Sequence, residues 1–203
     1  MSETFQTPFA GYDVLGKRES PSWNEQTRAV VFRRLQEIPE RRFLDVEEWQ
    51  KLEAVASRLL PQPDRPGHPV PIAPWIDWML DRNQGEGYRY ADVPPLREAW
   101  RLGLRGIEEE SVGRYGRRFV ELAPEEQDAV LGCVQRGEVR GESWRHLAAP
   151  WFFTDQLLKT VVATYYSHPA AWSEIGFGGP ASPRGYVRLG FDQRDPWEAE
   201  ERP

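Results

Sequence analysis

Cysteine is nearly absent from this chain: Cys133 stands alone among 203 residues. An internal disulfide, a cysteine-built zinc site and a haem-attachment C-x-x-C-H are excluded. A lone cysteine in an apolar helical stretch reads instead as a small buried hydrophobe. Histidine is scarce as well. His68, His146 and His168 lie far apart, and none sits in the H-x-x-x-H or E-x-x-H spacing that places two ligands on one helix face. Long apolar runs are missing too, and none approaches the roughly 18 residues that cross a bilayer. Basic charge is in deficit: 26 Lys+Arg face 32 Asp+Glu, for a formal net charge of −6. The basic stripe of a nucleic-acid binder is therefore not expected. Residues 1–16 are polar and acidic, without the basic and apolar regions of a signal peptide. Arg33-Arg34 is followed by Leu35-Gln36-Glu37-Ile38-Pro39-Glu40, too charged for a twin-arginine leader.

What the chain has in excess is punctuation and large rings: 18 Pro, 17 Gly and 9 Trp. Hydrophobic residues make up 39% and charged residues 29%, ordinary proportions for one globular domain of this length. Proline and glycine mark segment ends and extended connections, and tryptophan supplies flat apolar area that a partner can cover. The apolar positions between these marks recur at helical spacing. A short helix is expected over residues 24–37. A stronger one opens at Asp45, with Glu48 three residues later as in a capping box, carries Val46, Trp49, Leu52, Val55, Ala56, Leu59 and Leu60, and stops at Pro61. Residues 61–71, with five prolines, read as an extended connector. Ile72, Trp75, Ile76, Met79 and Leu80 form the next stripe. Pro94-Pro95 opens a longer helix on Leu96, Trp100, Leu104, Ile107 and Tyr115, in which Gly103 and Gly106 allow a close crossing. Pro124 suits a first helical turn that runs to Gly137, and Pro150 starts a last helix over residues 151–166. No alternating apolar/polar segment of useful length appears. The expectation is an all-α, irregular helical bundle with extended Pro/Gly-rich arms: residues 1–42 as arm and short helix, 43–170 as helical core, 171–203 as strap and tail.

Several features suggest chemistry. Gly176-Phe177-Gly178-Gly179 superficially resembles a phosphate loop, but helix precedes it, Pro180 and Pro183 follow, and the Walker lysine is missing. The same residues suit a strap better. Glycine permits close approach, proline keeps the backbone extended, and Trp172, Phe177 and Tyr186 anchor it, on a partner or on this chain's own core. Residues 1–24, with Phe5, Phe9, Tyr12 and Trp23, read likewise as an arm lying on another surface. Glu108-Glu109-Glu110 reads as a solvated helix face. No catalytic, cofactor-binding or metal-binding residue is assigned.

Several segments, in order, resemble the family called gluconate 2-dehydrogenase subunit 3. They are Phe43-Leu44-Asp45-Val46-Glu47-Glu48 running to Arg58-Leu59-Leu60-Pro61, then Ala73-Pro74-Trp75-Ile76-Asp77. Residues 103–137 follow, with Tyr115-Gly116, Phe119, Leu122 and Glu126-Gln127. The set ends on Phe152-Phe153, Thr160, Tyr165-Tyr166-Ser167, Trp172, Ile175-Gly176, Gly179-Pro180 and Gly185-Tyr186. The likeness covers roughly residues 43–190. It implies a large FAD-containing dehydrogenase of the glucose-methanol-choline type as partner, oxidising sugars, sugar acids or other polyols. A multihaem cytochrome c subunit takes the electrons in some systems. On this resemblance the small subunit carries no cofactor and stabilises, matures or helps export the flavoprotein. The twin-arginine leader common in that family has no counterpart here, so the expected place is the cytoplasm, or the periplasm by co-export with a partner that carries the signal. The expected partner-binding residues are Phe5, Phe9, Tyr12, Trp23, Phe152, Phe153, Tyr165, Tyr166, Trp172, Phe177, Gly178, Gly179, Pro180, Arg184 and Tyr186. Two alternatives accompany this reading: a stand-alone helical metal-dependent enzyme using Glu142, His146 and acids of the Glu108 run, and a releasable chaperone for the flavoprotein.

Overall fold

The structure of the protein, a computed structural model, describes residues 7–65, 67–85, 93–180 and 199–200. Regular structure among them is helical, without a strand. The helices are α1 (Glu25–Gln36), α2 (Val46–Leu59), α3 (Ile72–Asp81), α4 (Leu96–Tyr115), α5 (Pro124–Arg136), α6 (Ala149–Trp151) and α7 (Lys159–Ser167). A π-helical segment, Phe152–Leu158, joins α6 to α7. Short 3-10 turns lie at Val14–Glu19, Phe119–Glu121, Glu142–Arg145 and Pro169–Ile175. The all-α expectation holds.

Local chemistry explains most of the boundaries. The Asn24 side chain accepts from Thr27 N and starts α1. Asp45 accepts from Glu48 N at 2.8 Å while Glu48 accepts from Asp45 N at 3.1 Å, the reciprocal box expected for α2. The helix ends at Leu59, two residues before a proline that cannot continue it. Pro124 opens α5, where its missing N–H leaves no orphan donor, and Gly137 closes it in the left-handed region at φ 73°. The helix expected over residues 151–166 forms, but its first half is a wider π coil rather than regular α-helix.

The chain gathers into two compact units. The first comprises Met1–Ile38, Pro63–Val70 and Tyr165–Pro203; the second comprises Pro39–Gln62 and Pro71–Thr164. In the first, the segments expected as separate arms close on each other. Val14, Trp23, Val31 and Trp172 form a buried cluster with Tyr12, Leu15 and Leu35 packed against it. Burying each large side chain contributes roughly 1.5–3 kcal/mol. Polar ties run between the same segments: Val14 N donates to Ser173 Oγ, Lys17 Nζ to Gly178 O, and Thr7 Oγ1 to Glu174 O. Gly179, at φ 73°, lies so close to the Trp23 indole that a Cβ would meet it at 2.8 Å.

The second unit packs α2, α3, α4 and α5 around Leu52, Val55, Ile76, Leu80, Trp100, Leu104, Ile107, Val130 and Val134. The close approach expected at Gly103 and Gly106 is present, and rings make it. The Phe152 ring lies where a Gly103 Cβ would come to 2.1 Å, and the Trp144 indole where a Gly106 Cβ would come to 2.4 Å. Trp100 meets Phe152 edge-on at 5.9 Å between centroids.

The run Glu108-Glu109-Glu110 is not a solvated face, and the expectation is corrected here. Glu110 is 2% exposed and accepts from the backbone N–H groups of Arg140 and Gly141. Glu109 accepts from Ser143 N and Ser143 Oγ. Glu108 accepts from Phe119 N and stands 3.3 Å from Lys51 Nζ. A carboxylate satisfied by N–H donors belongs inside. Here three in succession fasten the loops on either side of α5 to α4.

Candidate partner interface

The second unit carries a groove of about 730 Å³ lined by Arg42, Phe43, Asp81, Arg97, Glu98, Arg101, Leu102 and Arg105. One wall is the loop before α2. It is held rigidly because Asp77, fully buried, accepts from Arg42 N at 2.6 Å, Leu44 N at 2.7 Å and Phe43 N at 3.2 Å. Arg41 Nη1 donates to Leu44 O at 2.6 Å across the same turn. The other wall is a face of α4, where Arg97, Arg101 and Arg105 recur every four residues. The guanidinium carbons of Arg97 and Arg101 lie over the Phe43 ring at 5.2 Å and 4.6 Å, an arrangement that electrostatics favours. Arg97 also donates to Leu80 O and Asp81 O at the end of α3. Composition alone did not point here; the four-residue arginine spacing was the available signal.

The expected partner-binding residues divide by burial. Trp23, Phe152, Phe153, Tyr165 and Trp172 are packed inside this chain. Phe9 and Tyr12 are half-buried, Phe9 lying over Gly176. Tyr166 is half-buried against the edge of Tyr165, and burial pushes its hydroxyl pKa up. Among the described residues of this strap, Phe177 and Ile175 are exposed large apolar side chains, at 37% and 44% exposure, with Phe177 edge-on to Trp172 at 5.3 Å. Gly178 and Pro180 are half-buried, while Gly179 is buried. Phe5, Arg184 and Tyr186 lie outside the described residues.

Two polar knots fix the strap's start within the first unit. Tyr165 OH donates to Glu174 at 2.8 Å, and Arg65 pairs with the same carboxylate. Burial and the Glu174 bond together raise the Tyr165 pKa. His168 is buried, accepts from Ala170 N on Nδ1 and faces Arg34 O with Nε2. Burial holds its pKa below the ordinary value. These groups are engaged in holding structure. Glu142 and His146 are both exposed, and Glu142 pairs with Arg145 at 3.3 Å. Among the described residues, no three His, Cys, Asp or Glu side chains are grouped as metal ligands would be, and no helix is long and apolar enough to cross a membrane.

Together these features define an all-α protein in which buried acids clamp neighbouring loops and the second unit carries an arginine-lined groove. The family model of gluconate 2-dehydrogenase subunit 3 matches residues 46–179, about two thirds of the chain, and the protein belongs to that family. The family is named for a subunit of a dehydrogenase complex. Comparison with curated proteins and with solved structures gives no match.

Proposed function

We propose that this chain is a non-catalytic small subunit that binds and stabilises a larger FAD-dependent dehydrogenase of the glucose-methanol-choline type, acting on sugars, sugar acids or other polyols. The family match over residues 46–179 is the observation that carries the reading. Surface chemistry agrees with it. Phe177 and Ile175 are exposed on a strap that the buried Trp172 holds in place, the arrangement of an apolar anchor on a rigid base. The flavin and the oxidation chemistry belong to the larger chain, and a cytochrome c subunit is a fitting electron acceptor. The complex works in the cytoplasm, or in the periplasm after co-export with a signal-bearing partner.

Co-expression with a flavoprotein encoded beside it is the direct test. A yellow 1:1 complex that survives size-exclusion chromatography is expected, with the flavoprotein less stable when purified alone. Dehydrogenase turnover by the isolated small chain overturns the proposal, and so does a flavoprotein that ignores it in pull-downs. Full activity of the flavoprotein after the small chain has been stripped away identifies a maturation factor instead of a permanent subunit.

A further inference from the structure

We propose that the arginine groove between α4 and the loop at Phe43 seats an acidic segment of the large dehydrogenase subunit; this rests on the accessory-subunit reading above. The chain carries a formal charge of −6, yet the groove gathers four guanidinium groups, Arg42, Arg97, Arg101 and Arg105, against two carboxylates, Asp81 and Glu98. Like charges four residues apart on a helix repel, so the stripe of three on α4 opposes the helix that carries it. Internal pairing offsets little of that. Arg97 is tied to backbone carbonyls rather than to a carboxylate. Arg101 stands 3.8 Å from Glu48, a loose contact. Arg42 and Arg105 are exposed and have no ion pair among the described residues. A bound carboxylate would supply the missing counter-charge.

The geometry favours a peptide over a compact anion. A guanidinium lying over an aromatic ring keeps its in-plane N–H edge for a second partner, and that edge matches a carboxylate in two-pronged fashion. Arg101 is held this way on Phe43; Arg97, also over the ring, spends its Nε and Nη2 edge on Leu80 O and Asp81 O and keeps its Nη1 side. Asp77 immobilises the loop beneath. The groove is open and has room for several side chains. Phe43 and Leu102 interleave apolar surface with the charge, while Asp81 and Glu98 would repel a dense polyanion. A segment that alternates Asp or Glu with apolar residues matches this pattern.

The test uses the full chain and its purified large subunit. Arg101→Glu and Arg105→Glu together are expected to weaken association about tenfold or more and to flatten its salt dependence. Arg145→Glu, an exposed arginine outside the groove, is expected to leave both unchanged. Arg105→Lys keeps the charge and adds an amine, and a zero-length carbodiimide should then couple that position to an Asp or Glu of the large subunit, read by mass spectrometry. Wild-type affinity for the double variant with no such coupling overturns the groove assignment while leaving the accessory role standing. Absence of any association by the wild-type chain sinks the accessory reading itself. Inorganic phosphate binding to the isolated chain through Arg105, with the complex unaffected by the double variant, makes the groove a small-anion site and also overturns the proposal. Circular dichroism of each variant checks folding, and the coupling result decides the matter if the double variant is misfolded.

Discussion

Replacing Gly103 with alanine sets two effects against each other inside one helix. Alanine is the better helix former by roughly 1 kcal/mol. The added Cβ, however, would come to 2.1 Å from Phe152 Cζ, and to 2.3 Å from each of the two neighbouring ring carbons. Ordinary carbon contacts lie near 3.5–4.0 Å, so the overlap exceeds an ångström. The ring cannot swing away easily, because Phe152 has no exposed surface and is boxed edge-on by Trp100 and tilted against Trp144 at 6.1 Å. Overpacking of this kind costs about 1–3 kcal/mol, and the depth of the overlap places Gly103→Ala at the upper end. Net destabilisation of about 2 kcal/mol follows, or a Tm lower by roughly 4–8 °C for a chain of this size. Gly113→Ala in the same helix is the internal control. Nothing lies within 4 Å of its Cβ position, so propensity acts alone and a gain of up to about 1 kcal/mol is expected. Phe152→Leu should cost less in the Gly103→Ala background than in wild type, a coupling that a double-mutant cycle in thermal or urea unfolding would measure. A Gly103→Ala protein as stable as wild type would refute the packing argument.

Three further outcomes follow from the same geometry. Asp77→Ala strips the acceptor from three backbone N–H groups and should cost roughly 3 kcal/mol or more by urea unfolding, with Asp77→Asn intermediate; a change below about 1 kcal/mol counts against the clamp. His168 has its pKa lowered by burial, so its stabilising contribution is complete above the ordinary histidine value and fades as pH falls below it. The Tm of wild type should therefore drop more steeply between about pH 7 and pH 5 than that of His168→Gln, and parallel curves would contradict the assignment. Trp172→Ala should lower the folding stability of the isolated chain by about 3 kcal/mol or more. Phe177→Ala, at an exposed position, should leave folding within about 1 kcal/mol of wild type and weaken the complex instead, as separate melting and binding curves would reveal.

Local rules read along the chain already specify a good deal of this protein. The Asp45–Glu48 box, the stop before Pro61, Pro124 in the first turn of α5 and the glycine at position 137 each depend on neighbours within four residues, which is why periodicity and capping chemistry find α2 to α5. The ordered motifs from Phe43 onward carry the family for the same reason, since they are strings of near neighbours. Burial is another matter, because it depends on residues far apart in sequence. Glu110 reads as a surface acid until Arg140 N and Gly141 N are seen to point at it across 30 and 31 residues. Whether Trp172 anchors a partner or this chain's own core is not legible in its letter; in the fold it joins Trp23, Val14 and Val31 in one buried cluster. The arginine groove likewise exists only because Asp77 draws the loop at Phe43 to α3, and α3 is joined through Arg97 to α4. An aromatic or a carboxylate has the same letter whether it faces water or a core, and only the fold decides which of these it meets.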